Sequence, residues 1–181
     1  MPIIPGIENV YYYTSENIFN IVTRPQNIVI IGGGPIGAEL GQSFQRLGCK
    51  VTFLLKSSRF LNKEDPDAAK IVKNKLEKEG CTFYTNVKYN MIESSNDLSS
   101  SPPNIQKSSR CVIHLLRTTE SHNKTLSIHC DILILACGRL PNVNGMNLEA
   151  AGVKFDEKRG IHIGETMRTS NSKIYAVGDC C

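Results

Sequence analysis

The chain lacks any apolar run approaching the roughly 20 residues that a membrane-spanning helix needs; the run 132–136 has the length of a strand. No charged segment followed by an apolar stretch opens it, so no secretory signal is expected, and an intracellular protein of unassigned compartment is the reading. No stretch of Lys and Arg is long enough to form a basic tail. The net charge of +4 is mild and dispersed, which argues against nucleic acid while still favouring an anionic cofactor. The seven cysteines, at 49, 81, 111, 130, 137, 180 and 181, contain no C-x-x-C pair and no zinc-ligand spacing. They read as reduced thiols of a non-secreted protein. Adjacent Cys180 and Cys181 could close only a strained ring, so two thiols are expected there. No internal repeat is visible.

What remains is sufficient for a folded core. Of 181 residues, 40% are hydrophobic and 21% charged, a balance suited to one ordinary soluble domain, or one domain plus a piece of another. Residues 1–26 read as a lead-in with prolines and a glycine near the start. Residues 27–31 (Asn-Ile-Val-Ile-Ile) form a β-branched run, the pattern of a strand buried on both faces of a parallel sheet. Gly32-Gly33-Gly34 breaks it, Pro35 suits a first helical turn, and Ile36, Leu40, Phe44 and Leu47 recur at helical spacing until Gly48. Residues 51–55 predict a second strand, and 66–79 a helix capped by Asp65 and stopped by Gly80. A third strand follows at 81–84. The order βαβαβ predicts a parallel sheet with right-handed crossovers.

The rhythm then changes. Segments 87–93, 111–117 and 125–129 predict strands without intervening helices, an antiparallel meander covering one face of the sheet. The stretch 94–109, rich in Ser, Asn and Pro, reads as a mobile hairpin loop. Residues 131–136 resume the buried parallel pattern, and 161–163 and 174–177 read as short strands around a polar turn.

Gly32-Gly33-Gly34-Pro35-Ile36-Gly37 fits G-x-G-x-x-G between a buried strand and a helix, with a second strand at the right distance. Gly32 makes the tight turn, Gly34 lets a pyrophosphate approach the backbone, and Gly37 lets the helix pack close to the strand. The N–H groups at the helix start, with the dipole behind them, supply an anion site. A glycine-rich corner without a ligand is the bland alternative. An NAD-preferring site places Asp or Glu at the end of the second strand. Here that position is Leu55, followed by Lys56-Ser57-Ser58-Arg59, and the nearest downstream acid is Glu64. Lys56 and Arg59 suit a 2′-phosphate, so NADPH is favoured over NADH, against the alternative of two solvated surface cations.

Two later segments carry a family resemblance. Ala136-Cys137-Gly138-Arg139-Leu140-Pro141-Asn142, after the run 133–135, resembles the A-T-G-R-x-P-N segment of the flavin-dependent pyridine nucleotide–disulfide oxidoreductases. Thr169-Ser170-Asn171-Ser172-Lys173-Ile174-Tyr175-Ala176-Val177-Gly178-Asp179 resembles their second flavin-binding motif, T-x-x-x-x-I-Y-A-V-G-D. With the fingerprint continuing as Gly37-Ala38-Glu39-Leu40, three motifs stand in family order across nearly the whole chain. Residues 145–152 and Lys63-Glu64-Asp65 look most like the mercuric-reductase and dihydrolipoamide-dehydrogenase branch.

The resemblance implies an α/β fold: a Rossmann-like parallel sheet with an antiparallel meander, plus part of a second, FAD-binding domain. It implies residues 1–10 as the exit from that domain, 11–141 as the NAD(P)-binding domain and 142–181 as the return. It implies hydride transfer from NAD(P)H to FAD and onward to a disulfide or metal acceptor in a homodimeric parent. Glu39 is implied to lie beside nicotinamide and flavin, with a first-turn Glu acting on the helix dipole as the alternative. Gly138 is implied as a cofactor-binding residue, and Asp179 as a contact to the flavin's ribityl–pyrophosphate region; by spacing alone Asp179 is a turn residue. Pro35 stands where some members carry a gating aromatic, so no gate is expected. Cys137 replaces the usual Thr and reads as a small buried filler.

The chain carries one glycine fingerprint where the family has an earlier one for FAD. It lacks the C-x-x-x-x-C redox pair and the C-terminal domain with its His–Glu pair. The central portion of a longer flavoenzyme is therefore expected, inactive as a reductase by itself. The alternative is a non-catalytic dinucleotide-sensing module. A direct carbonyl dehydrogenase lacks a Ser-Tyr-Lys or His-centred constellation.

Overall fold

The computed structural model describes residues 3–95, 110–118 and 123–181. The chain divides into two compact units, Met1–Cys137 and Gly138–Cys181. In the first, a four-stranded parallel sheet runs in the order β3 (Thr82–Tyr84), β2 (Lys50–Leu54), β1 (Asn27–Ile31), β7 (Ile132–Leu135). Register pairs Ile31 with Leu54 on one side and with Leu135 on the other. A meander of β4 (Val87–Ser94), β5 (Cys111–Thr118) and β6 (Asn123–Cys130) forms a separate antiparallel sheet.

The continuous apolar run in β1 exists because the sheet is covered twice. Successive strand residues point to opposite faces. Ile28 and Ile30 pack with Val51, Phe53, Ile132 and Ile134 towards the helices, joining Ala69 and Leu76 of α2 (Pro66–Lys78) and Leu40 and Phe44 of α1 (Pro35–Arg46). Val29 and Ile31 pack with Leu54, Leu133 and Leu135 towards Val87, Ile92, Ile113 and Leu115 of the meander. Phe53 is fully buried, stacked on Phe83 with ring centroids 4.6 Å apart and edge-on to Phe60 at 5.4 Å.

Two polar anchors fix the sheet's lower edge and its helices. Asp131 accepts the N–H groups of Gln26 and Asn27 at 2.9 and 2.8 Å, and its other oxygen lies 3.6 Å from Nε of buried Arg110. It thereby ties the start of β1 to the approach to β7. Glu79, just after α2, accepts Nε and Nη2 of Arg46 at 3.1 and 2.7 Å, Nε2 of Gln42 at 3.1 Å and Nζ of Lys75 at 3.2 Å. The Arg46 hydrogen bond, aided by Gln42 and Lys75, lowers its pKa from the ordinary 4.5 to about 2. A depressed carboxylate contributes stability above its ordinary pKa and loses it on acidification. The melting temperature is therefore expected to fall as pH drops from 4.5 towards 2. Glu79→Gln should flatten that part of the profile, and an unchanged acid limb would refute the linkage.

Most expected elements are present with ends displaced by one or two residues. Asp65 caps α2 as expected, accepting the N–H groups of Asp67 and Ala68 at 2.9 and 3.0 Å. Three readings need correction. Residues 174–177 are not a strand: they contribute one bridge, Tyr175 to Arg168, because a turn at Thr169–Asn171 draws Ile174 back and leaves Val177 exposed beyond the bridge. The expected strand 161–163 shortens to β9 (Gly160–Ile161), paired with an unforeseen β8 (Phe155–Asp156). Tyr13, in the lead-in, extends the parallel sheet beyond β7 by exchanging hydrogen bonds with Leu133 and Leu135, each 2.8 Å. The loop expected at 94–109 lies, apart from Ser94 and Ser95, outside the described residues. No helix among the described residues is long and apolar enough to cross a membrane.

Candidate functional site

β1 is where the strand order reverses: its successor β2 pairs on one side and β7 on the other. In open α/β sheets the crevice beyond the strand ends at such a point is where ligands bind. The glycine turn leaves β1 at this end, and Gly32, Gly33 and Gly37 each have a distinct steric reason. Gly32 has φ +118, and a Cβ there would stand 2.3 Å from the Ala136 carbonyl oxygen. A Cβ on Gly33 would meet Leu55 Cδ2 at 2.6 Å and Phe60 at 3.1 Å. At Gly37 it would lie 3.0 Å from the Gly32 oxygen and 3.5 Å from the Ala136 and Ile30 side chains.

Gly34 differs from all three. Its backbone is ordinary extended chain (φ −86, ψ −178), and a Cβ would meet nothing within 4 Å. No internal contact requires glycine there. Gly34 is also the N-cap of α1, followed by Pro35, and no side chain caps that helix. The contrast with α2, capped twice by Asp65, is internal to the molecule. The first N–H groups of a helix have no intrahelical partner, and an uncapped start attracts anions. Open space and unclaimed donors therefore coincide at one backbone position. Any side chain at this position would occupy the space above those donors.

The loop after β2 folds back onto the turn. Leu61, at φ +48, donates its N–H to the Gly33 oxygen at 2.8 Å. Leu55, where an NAD-preferring site would carry an acid, is buried, so the next residue, exposed Lys56, is the polar group presented at the strand end. Arg59 is half-buried and donates to the Glu64 and Asn62 carbonyls at 3.1 and 2.6 Å, shaping this loop with part of its guanidinium. The carboxylate expected on the helix dipole is not in the first turn: Glu39 is exposed one turn further on, which removes that alternative. Ile36 is half-buried beside the core.

Cys137 is exposed rather than a buried filler, because it lies past the end of β7 where the sheet stops. Its thiol donates to the Ile31 oxygen at 3.2 Å, and desolvation raises its pKa. The fold thus brings Gly32, Gly33, Gly34, Pro35, Ile36, Gly37, Lys56 and Arg59 to one end of the first unit's sheet. Gly138 and Asp179 belong to the second unit. There Gly138 has φ +126 with open space above it, and Asp179 is exposed and ion-paired with Arg139. Cys180 and Cys181 are free thiols. Sequence reading missed Gly41, whose Cβ would stand 2.2 Å from the ring of Phe53. Its spacing of four from Gly37 was the available signal, since such residues share a helix face.

A family model described as pyridine nucleotide-disulphide oxidoreductase matches residues 1–181. Mercuric reductase from Staphylococcus aureus is 35% identical over 179 residues, 99% of this chain and 30% of that protein. Dihydrolipoyl dehydrogenase from Thermus scotoductus is 34% identical over 155 residues, 86% of this chain and 31% of that protein. Among solved structures, the HOCl-induced flavoprotein disulfide reductase RclA from Escherichia coli matches with a TM-score of 0.78 at 27% identity. That match covers 99% of this chain and 37% of the other. The chain thus spans 30% of the mercuric reductase and 31% of the dihydrolipoyl dehydrogenase.

Proposed function

We infer that this chain, which belongs to the pyridine nucleotide-disulphide oxidoreductase family, is the part of a flavoprotein reductase that binds a reduced nicotinamide dinucleotide, NADPH ahead of NADH. The observation that carries the reading is the conjunction at Gly34: an uncapped helix start under space that no protein atom fills.

In this reading the N–H groups of the turn and of the first turn of α1, from Gly33 to Gly37, receive the diphosphate. Gly32 and Gly37 keep the turn close to β7, and Pro35 starts the helix without adding a donor. Lys56, with the donors that Arg59 has left, receives the 2′-phosphate, and no acid stands at Leu55 to repel it. Glu39, one turn along the same helix, faces the reacting rings. A bound NADPH supplies the hydride, which FAD would accept in the larger protein and pass on to a disulfide or metal ion. Residues 1–10 and 142–181 are the segments that leave and re-enter the flavin domain around an NAD(P) domain of residues 11–141. Gly138 and Asp179 lie on the flavin side. The same reading takes the parent protein to be a homodimer.

Calorimetric titration of the chain tests the cofactor choice. NADPH is expected to bind about tenfold or more tightly than NADH, since a charge-assisted hydrogen bond contributes about 1.5–3 kcal/mol. Lys56→Glu should abolish that preference. A native preference for NADH would refute the phosphate assignment. Retention of tightly held flavin by the purified chain would refute the division of labour between the segments.

A further inference from the structure

Cys111 opens β5 and Cys130 closes β6, and the register sets them directly opposite one another. Both are free and buried, and their sulfurs lie 3.3 Å apart. Neither belongs to the dinucleotide site. Directly opposed residues of an antiparallel pair have Cα atoms about 4.5–5.5 Å apart, inside the range a disulfide spans. Closing the sulfurs to about 2 Å therefore requires side-chain adjustment but no change of strand register.

We propose that Cys111 and Cys130 are a two-electron redox site, which a low-molecular-weight disulfide converts into a cross-strand disulfide locking β5 to β6. Cys130, the residue with 5% exposure against 0% for Cys111, is taken as the one an incoming reagent meets first. Its thiolate attacks one sulfur of the small disulfide, forming a mixed disulfide and releasing one small thiol. Cys111 then attacks the Cys130 sulfur and displaces the second small thiol. The protein loses two electrons and two protons, and the reagent becomes two thiols. Hydrogen bonding to Cys111 and burial push the Cys130 thiol well above its ordinary pKa. Thiolate is scarce at neutral pH, so the reaction is slow and accelerates with alkalinity.

The location decides the consequence. Cys130 is followed by Asp131, which holds the N-terminal end of β1, whereas the glycine turn leaves the opposite end. The lock acts on stability rather than on the dinucleotide cradle. The loop it would close, between 111 and 130, is long enough for a cross-link to constrain the unfolded chain substantially.

The test uses reduced protein with Cys180 and Cys181 replaced by serine, incubated with oxidised glutathione and mapped by mass spectrometry after thiol blocking. The expected product has lost two hydrogens, yields one cross-linked peptide pair joining 111 to 130, and melts roughly 5–10 °C higher until dithiothreitol reverses it. Cys111→Ser and, should that variant fail to fold, Cys130→Ala must each abolish the rise. A lasting glutathione adduct on either cysteine overturns the proposal. So does finding both still free once exposed Cys137 has been consumed.

Discussion

Replacing Gly34 with aspartate is expected to weaken dinucleotide binding at least about a hundredfold while leaving the fold as stable as before, or slightly more so. The two effects have opposite signs because they act on the same donors. Gly34 occupies a backbone conformation open to any residue, and a Cβ there touches nothing within 4 Å. Aspartate at an N-cap accepts first-turn N–H groups, as Asp65 already does for α2, and it gains from the helix dipole. Together these contribute a few tenths to about 1 kcal/mol over glycine. Those N–H groups are the ones the proposed function assigns to the diphosphate, and the carboxylate would add like-charge repulsion. Losing two charge-assisted hydrogen bonds at about 1.5 kcal/mol each accounts for the hundredfold. Thermal unfolding and calorimetric titration of one preparation read both quantities. Unchanged affinity would remove the foundation of the proposed function.

Gly32→Ala, two residues earlier, should instead cost the fold about 3–5 kcal/mol, a large share of the 5–15 kcal/mol typical of a domain. At φ +118 a side chain is strained whatever space surrounds it, and here the new Cβ would lie 2.3 Å from the Ala136 oxygen and 2.6 Å from its carbon. Neither backbone can retreat cheaply. Ala136 donates its N–H to Ile31 at 2.8 Å, and Gly32 donates to Leu54 at 3.1 Å, so both are sewn to the sheet on either side of β1. A drop in melting temperature of about 10 °C is the expected reading. A wild-type melting curve would show that the turn relaxes and that its geometry is not what demands glycine. Side by side, the two glycines separate folding from binding within one motif.

Local chemistry made much of the architecture readable. The β-branched run in β1 announced burial on two faces because both faces are in fact covered. Asp65 declared its helix because capping is decided within three residues. The fingerprint marked Gly32 and Gly37 as tight positions, although the Ala136 backbone and side chain that crowd them come from the end of a remote strand. Elsewhere too the deciding partner was remote. Tyr13 joins the sheet through residues 133–135, far beyond any local window. Residues 174–177 had the composition of a strand, but only the short stretch Met167–Thr169 comes to meet them, enough for one bridge. Arg59 had the charge for a phosphate, yet the carbonyls that engage it are set by how the loop closes. Cys137 stood beside an apolar run, and only the end of the sheet explains its exposure.

The strand order has a consequence for the growing polypeptide. β1 and β7 are neighbours, yet β2, β3 and the whole meander are translated between them. A nascent chain that has emerged through β6 already displays its glycine turn, but one wall of the crevice has not been made and the margin of β1 is unpaired. Unpaired strand margins invite foreign partners, and domains assembled from distant pairings close slowly. The last strand to arrive is thus the one that both seals the sheet and completes the crevice beside the turn. Under the proposed function, a dinucleotide would find its complete crevice only late in synthesis and could not serve as an early scaffold for the fold.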